Sequence, residues 1–186
     1  MGKKIIVISG HTDLKVSVVN KTILETLEQK LPNLEIVRLD NLYPDFKIDV
    51  PTEQQRLMTA DIIVLQFPLF WYSVPSLLER WMEETLQHGF SHGRNGDKLK
   101  GKMLVLSFTS GAPEEMYAHD GAMGYTIDEF LTCYKAMCRL CGMEFAGSIY
   151  TGGVSYASRS DVEETEKQKA KAVVHAKRLI SLLATL

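Results

Sequence analysis

Asp61-Ile62-Ile63-Val64-Leu65-Gln66-Phe67-Pro68 is apolar at nearly every inner position and ends on a proline. An amphipathic helix would space its apolar residues with a period near 3.6, and a half-covered strand would alternate with a period of 2. A run with neither period suits a strand covered on both faces, the condition of an inner strand in a parallel sheet. Ile5-Ile6-Val7-Ile8, bounded by Ser9-Gly10, reads the same way, and so does Met103-Leu104-Val105-Leu106-Ser107-Phe108-Thr109. Leu34-Glu35-Ile36-Val37-Arg38-Leu39 alternates, which places it nearer an edge. Phe145 to Tyr150 is the fifth such segment.

Helical spacing fills the intervals. Ser17 to Lys30 reads as a helix, with Val16, Val19, Ile23, Leu24 and Leu27 on one side, and Pro32-Asn33 ends it. Asn41 to Pro51 reads as a loop and Thr52 to Ala60 as a short helix. Pro75 can open a helix at its first position, and that helix carries Leu77, Leu78, Trp81, Met82 and Leu86. His88 to Lys100 is a Gly- and charge-rich loop. Thr126 to Cys141 reads as one helix ended by Gly142, and Ser160 to Leu183 as a long helix with an apolar stripe through Val173, Leu179 and Leu182. The alternation βαβαβαβαβα predicts an α/β, three-layer fold: a five-stranded parallel sheet with helices on both faces. The flavodoxin-like strand order 2-1-3-4-5 fits, with a ligand site beyond the carboxyl ends of the strands.

The chain has 186 residues, a length that suits a single domain over residues 1–186. Such a chain can bury roughly 70% of its unfolded surface and needs no covalent staples. With 45% hydrophobic and 24% charged residues it is not a disordered chain. A net charge of −2 argues against nucleic acid as a partner. Its three cysteines, Cys133, Cys138 and Cys141, cluster in one segment, which fits a reducing compartment rather than a disulfide framework. The apolar stretch behind the basic N-terminus is too short for a signal sequence, and no run approaches a membrane span, so a cytoplasmic protein is expected.

The loops after strands one, three and four should line one crevice. The first, Ser9 to Val16, leaves a buried strand and enters a helix whose first N–H groups are unpaired and attract phosphate. Ser17, His11 and Asn20 can donate to the same anion, although Ser17 alone also reads as an ordinary N-cap. No Walker A or dinucleotide glycine spacing is present. The second loop, Pro68-Leu69-Phe70-Trp71-Tyr72-Ser73-Val74-Pro75, places three adjacent aromatics between prolines. They call for a cover, whether a flat ligand, a second subunit or the core. The third loop opens Thr109-Ser110-Gly111-Ala112-Pro113, a small-residue turn whose backbone N–H groups can approach the polar edge of a ring. Tyr117 follows within reach of the same crevice or as an exposed loop tyrosine. Cys138-Arg139-Leu140-Cys141 reads as helix packing, and His88 with His92 in a glycine-containing loop does not make a metal site; no metal is expected.

On these loops the chain resembles the NAD(P)H dehydrogenase (quinone) family, from Ile5 to about Tyr150. The most specific stretch is Gln66-Phe67-Pro68-Leu69-Phe70-Trp71-Tyr72-Ser73-Val74-Pro75, continued by Trp81 and Gln87-His88-Gly89-Phe90. The resemblance implies a non-covalent flavin, FMN or FAD, with NAD(P)H and then a quinone using one exposed ring face in turn. His11, Ser17, Val18, Val19 and Asn20 would hold the phosphate end. Pro68, Leu69, Phe70 and Trp71 would support the ring, and Thr109, Ser110, Gly111 and Ala112 would bind its polar edge. It also implies a homodimer with the site at the subunit interface, covered in part by Trp71 and Tyr72. Tyr117 matches a family tyrosine that steadies charge during hydride transfer; the histidine paired with it falls at Met123 here, with His119 out of register. Thr12 stands where the family usually has proline. Two other functions are compatible with the family and fold: an ancillary subunit of a potassium-efflux transporter at the inner face of the membrane, and a flavodoxin-like electron carrier.

Overall fold

A computed structural model describes residues 2–31 and 34–186, so the helix-ending Pro32-Asn33 lies outside the described residues. The strands are β1 (Ile5–Ser9), β2 (Glu35–Arg38), β3 (Ile62–Pro68), β4 (Met103–Thr109) and β5 (Glu144–Thr151), in one sheet of order β2-β1-β3-β4-β5. All four pairings are parallel. Every residue of β3 is buried, as its unbroken apolar run requires, and β2 lies at an edge.

The helices are α1 (Val19–Lys30), α2 (Leu39–Leu42), α3 (Val50–Thr59), α4 (Ser76–Thr85), α5 (Ile127–Phe130), α6 (Thr132–Cys141) and α7 (Val162–Leu183). One core packs Ile6, Ile8, Ile63, Leu65, Phe67, Leu106 and Phe108 against α3, α4 and α6. The other packs Val7, Val64 and Val105 against α1 and α7. Two layers of helix therefore cover one sheet, as expected of alternating strands and helices. Cys138 and Cys141 are buried in the first core, and burial pushes the Cys138 thiol up to about 11.

Several boundaries differ from the sequence expectation. Residues 17 and 18 precede α1; Ser17 is extended, and its Oγ accepts the Asn20 N–H at 3.2 Å. Leu39 opens the short α2 instead of ending β2, because its side chain turns fully into the core. Helix α3 starts two residues early, since Asp49 caps Thr52 N–H and Pro51 fits the first turn. The helix expected over 126–141 is two: a capping box between Thr126 and Glu129 starts α5, and buried Leu131 anchors the joint to α6. On α7 the buried stripe is Ala172, His175, Ala176, Leu179 and Leu183, rotated from the expected one.

One feature of register positions the site. Ser9, Gln66 and Ser107 are neighbours across β1, β3 and β4, two residues beyond Val7, Val64 and Val105. Side chains two apart share a face. The α1/α7 face therefore turns from apolar to polar at its carboxyl end. Asn20 from α1 and His175 from α7 meet that polar row.

Candidate active site

A slot of about 400 Å³ opens at the carboxyl ends of the strands, within the range of small-ligand pockets. Its wall includes His11, Ser17, Val18, Val19 and Asn20 from the first loop, Pro68, Leu69 and Phe70 from the second, and Thr109, Ser110 and Gly111 from the third. The three loops thus converge. A smaller hollow of about 190 Å³ shares Leu69, Ser110 and Gly111 with the slot, and takes in Trp71, Ala112, Tyr117 and Met123.

The first end of the slot is built from buried polar side chains. Gln66 Nε2 donates to Asn20 Oδ1 at 2.6 Å, and Asn20 Nδ2 lies 3.3 Å from both Ser17 Oγ and Thr109 Oγ1. Each of these four residues is less than a tenth exposed. Val18 and Val19, at the start of α1, have no intrahelical acceptor for their N–H groups. Gly10 is needed just before: a Cβ there would collide with Leu78 of α4. His11 accepts the Asp13 N–H at Nδ1 (3.1 Å), which puts the neutral ring's proton on Nε2. Burial lowers its pKa, against the opposing pull of Asp40 and Asp13, so the ring is neutral at pH 7.

The second loop is a tight hairpin. Phe70 and Ser73 exchange N–H···O bonds of 3.0 Å, and Trp71 and Tyr72 between them take positive φ of 50° and 65°. Such turns favour Asn or Gly, and bulky residues there are strained. Trp71 is 94% exposed and lines the smaller hollow, while Pro68, Leu69 and Phe70 line the slot. Tyr72 stacks on Phe130 at 5.3 Å and donates its hydroxyl to Met123 Sδ at 3.3 Å.

In the third loop Ser110 N–H donates to Thr151 O and Gly153 N–H to Ala112 O, so the loops after β4 and β5 are stitched together. Tyr117 packs edge-on against Phe130 and Tyr150. Met123, not a histidine, lies beside it; His119 is exposed, with its Nε2 3.7 Å from the Glu129 carboxylate. Among the described residues no three His, Cys, Asp or Glu side chains are arranged to hold a metal.

The sequence reading missed the loop after β5. Val154, Ser155, Tyr156, Arg159 and Gln168 also line the slot. The Arg159 guanidinium stands 3.6 Å from the Tyr156 ring centre, and Gln168 Nε2 donates to Ser155 O at 3.0 Å. The signal was present as Thr151-Gly152-Gly153 at a strand's carboxyl end, followed by an aromatic and a cation. His175 was missed too. Fully buried, it bridges Ser107 Oγ and Thr151 Oγ1, each at 2.9 Å, and burial brings its pKa down to about 3.

A family model described as flavodoxin-like fold matches residues 3–176. An uncharacterized NAD(P)H oxidoreductase of Bacillus subtilis, YrkL, is 38% identical over 89% of this chain and 94% of its own. The glutathione-regulated potassium-efflux system ancillary protein KefG of Enterobacter is 34% identical over 91% of this chain and 90% of its own. The crystal structure of general stress protein 14 from Treponema denticola in complex with FMN superimposes with a TM-score of 0.81 at 29% identity, covering 95% of this chain and 99% of that one. The chain belongs to the flavodoxin-like fold family, as a relative of NAD(P)H oxidoreductases and KefG-type proteins.

Proposed function

We propose that this protein is an FMN-dependent NAD(P)H oxidoreductase that passes an electron pair, as hydride, to a quinone or a similar acceptor. The observation that carries the reading is the asymmetry of the slot. One end is a cradle of unpaired N–H groups and buried polar side chains. The other is an apolar wall with a small-residue turn at its edge.

The chain's residues divide the work. The Val18 and Val19 N–H groups at the helix start, with the Ser17 hydroxyl and His11 Nε2, are donors suited to a phosphate. Asn20 is buried and tied on two sides, so it fixes this cradle rather than reaching freely to the ligand. Arg159 adds a positive charge to the slot lining. Pro68, Leu69 and Phe70 offer a flat apolar surface to a ring, and the backbone N–H groups of Thr109 to Ala112 offer donors to its polar edge. FMN held by these residues would supply the two-electron hydride chemistry between nicotinamide and acceptor. Tyr117 faces the hollow next to the turn, where its phenol is placed to steady charge on a reacting substrate. Without a histidine partner it acts alone.

FMN is favoured over FAD by the FMN complex of the Treponema denticola relative. NAD(P)H as donor is favoured by the name of the Bacillus subtilis relative. The Trp71 hairpin suits a homodimer in which a second copy covers the slot, because Phe70, Trp71 and Tyr72 expose adjacent aromatic side chains. No helix among the described residues is long and apolar enough to cross a membrane, and the cytoplasm is the proposed compartment.

The test is anaerobic mixing of the flavin-loaded protein with NADPH or NADH, then with a quinone. The flavin absorbance should bleach and then return. Failure to bleach with either donor refutes the reductase reading. A second reading, a subunit that docks on a potassium-efflux transporter, is favoured by the similarity to KefG. It predicts retention on membranes that contain such a transporter and none on membranes that lack it.

A further inference from the structure

Ser110 lines both the slot and the hollow, and its hydroxyl has two close neighbours: Ala112 O at 2.8 Å and the Tyr150 hydroxyl at 2.7 Å. The direction of the protons follows from the chemistry of the groups. A carbonyl oxygen only accepts, so the single Ser110 proton goes to Ala112 O. Ser110 Oγ must then accept, and the Tyr150 hydroxyl donates to it. A relay runs from Tyr150 through Ser110 to Ala112 and spans the turn from its base to its tip.

The rest of the β5 end supports this direction. Ser110 is also held by its backbone, with its N–H on Thr151 O and its carbonyl accepting the Val154 N–H at 3.0 Å. The Tyr150 ring is fixed by stacking on Phe108 at 5.1 Å and by the edge of Tyr117 at 6.0 Å. Gly152 makes room for its hydroxyl, since a Cβ there would sit only 2.7 Å from it. The phenol keeps its proton at any working pH, since burial pushes its pKa up to about 12 against the lowering effect of Ser110.

We propose that Tyr150 is a positioning residue for the ring-edge turn: through Ser110 it sets the geometry of Thr109 to Ala112 without touching the ligand. This rests on the reading that the turn binds the polar edge of a flavin. The relay is invisible in the three loops taken alone, because Tyr150 sits on the strand and meets the turn only through the fold.

The experiment is a double-mutant cycle on equilibrium flavin binding. Flavin-stripped wild type, Tyr150→Phe, Ser110→Ala and the double variant are titrated with FMN and with riboflavin, well below their melting temperatures. Tyr150→Phe removes one oxygen and keeps the ring contacts. Loss of one hydrogen bond in the relay should weaken binding about tenfold. The double variant should be no weaker than Ser110→Ala alone. FMN and riboflavin should suffer by the same factor, because the change lies at the ring end. Ser110→Thr, which keeps the hydroxyl, should restore wild-type affinity; a merely structural role for the strand would not respond to that rescue. Wild-type binding by Tyr150→Phe, or additive losses in the double variant, overturns the proposal while leaving the flavin reading intact. Absence of FMN binding by the unaltered protein overturns both.

Discussion

The start of α1 and the aromatic hairpin after β3 face the same slot but are made in opposite ways. At Ser17 to Asn20 both polar side chains are buried, Ser17 tied to Asn20 and Asn20 in turn to Gln66 of β3 and Thr109 of β4. At Phe70 to Ser73 the chain holds two aromatic residues at positive φ and leaves Trp71 almost wholly in water. The first region is complete within one chain. The second spends backbone strain on a tryptophan that almost no described residue covers. The difference separates recognition by a preformed cradle from coverage by a second surface. Substitutions in the two regions should therefore fail in different assays.

Acid should produce the largest effect, through the buried His175 on the polar row that Asn20 also meets. His175 has a folded pKa of about 3, below the value near 6.5 of an unfolded histidine. The unfolded chain therefore binds the extra proton, and stability falls as pH drops from about 6.5 towards 3; above 6.5 the contribution is fully present. The full span is worth about 5 kcal/mol. Urea titrations across that window should show the loss, and His175→Gln should flatten the slope.

Asn20→Leu keeps the size of the side chain but leaves Gln66 Nε2 and Thr109 without their shared partner. Stability should fall by about 2 kcal/mol, and FMN affinity by on the order of 100-fold as the cradle loosens. Melting and titration measure the two separately. An unchanged FMN affinity would mean that the network serves the fold alone. Tyr117→Phe should leave FMN affinity as it is and lower the rate of hydride transfer about tenfold, a barrier change of about 1.4 kcal/mol. Rapid-mixing kinetics with NADPH and with a quinone give that rate directly.

The smallest energetic change belongs to the hairpin. Asn tolerates positive φ, so Trp71→Asn should raise the stability of the dissociated chain by about 0.5 kcal/mol. Self-association, followed by sedimentation over a dilution series, should weaken. If association persists unaltered, the exposed tryptophan has another use and the contrast between the regions breaks.

The same contrast explains what could be read without coordinates. The inner strands were legible because a strand covered on both faces has no freedom in composition, as β3 shows at every position. The cradle residues were legible because a strand-to-helix junction has a fixed electrostatic character. Trp71 was recognisable as needing a cover, but its direction depends on two backbone angles that no periodicity reports. His175 was hidden because it is a polar residue on the buried stripe of α7, placed there by its bonds to Ser107 and Thr151 from distant strands. The 153–159 segment was hidden because its role depends on pairing with Ser110 and Ala112, some forty residues earlier in the chain. Local pattern identifies what covers a core; it does not identify which distant loops are sewn together.

The α1 cradle as a phosphate site is the feature on which the proposed function depends most. Titrating the flavin-stripped protein with FMN and with riboflavin, which differ only by the phosphate, tests it directly. FMN should bind at least about 100-fold more tightly, as expected of charge-assisted bonds in a buried cradle. Equal affinity for the two, or binding of neither, would contradict it.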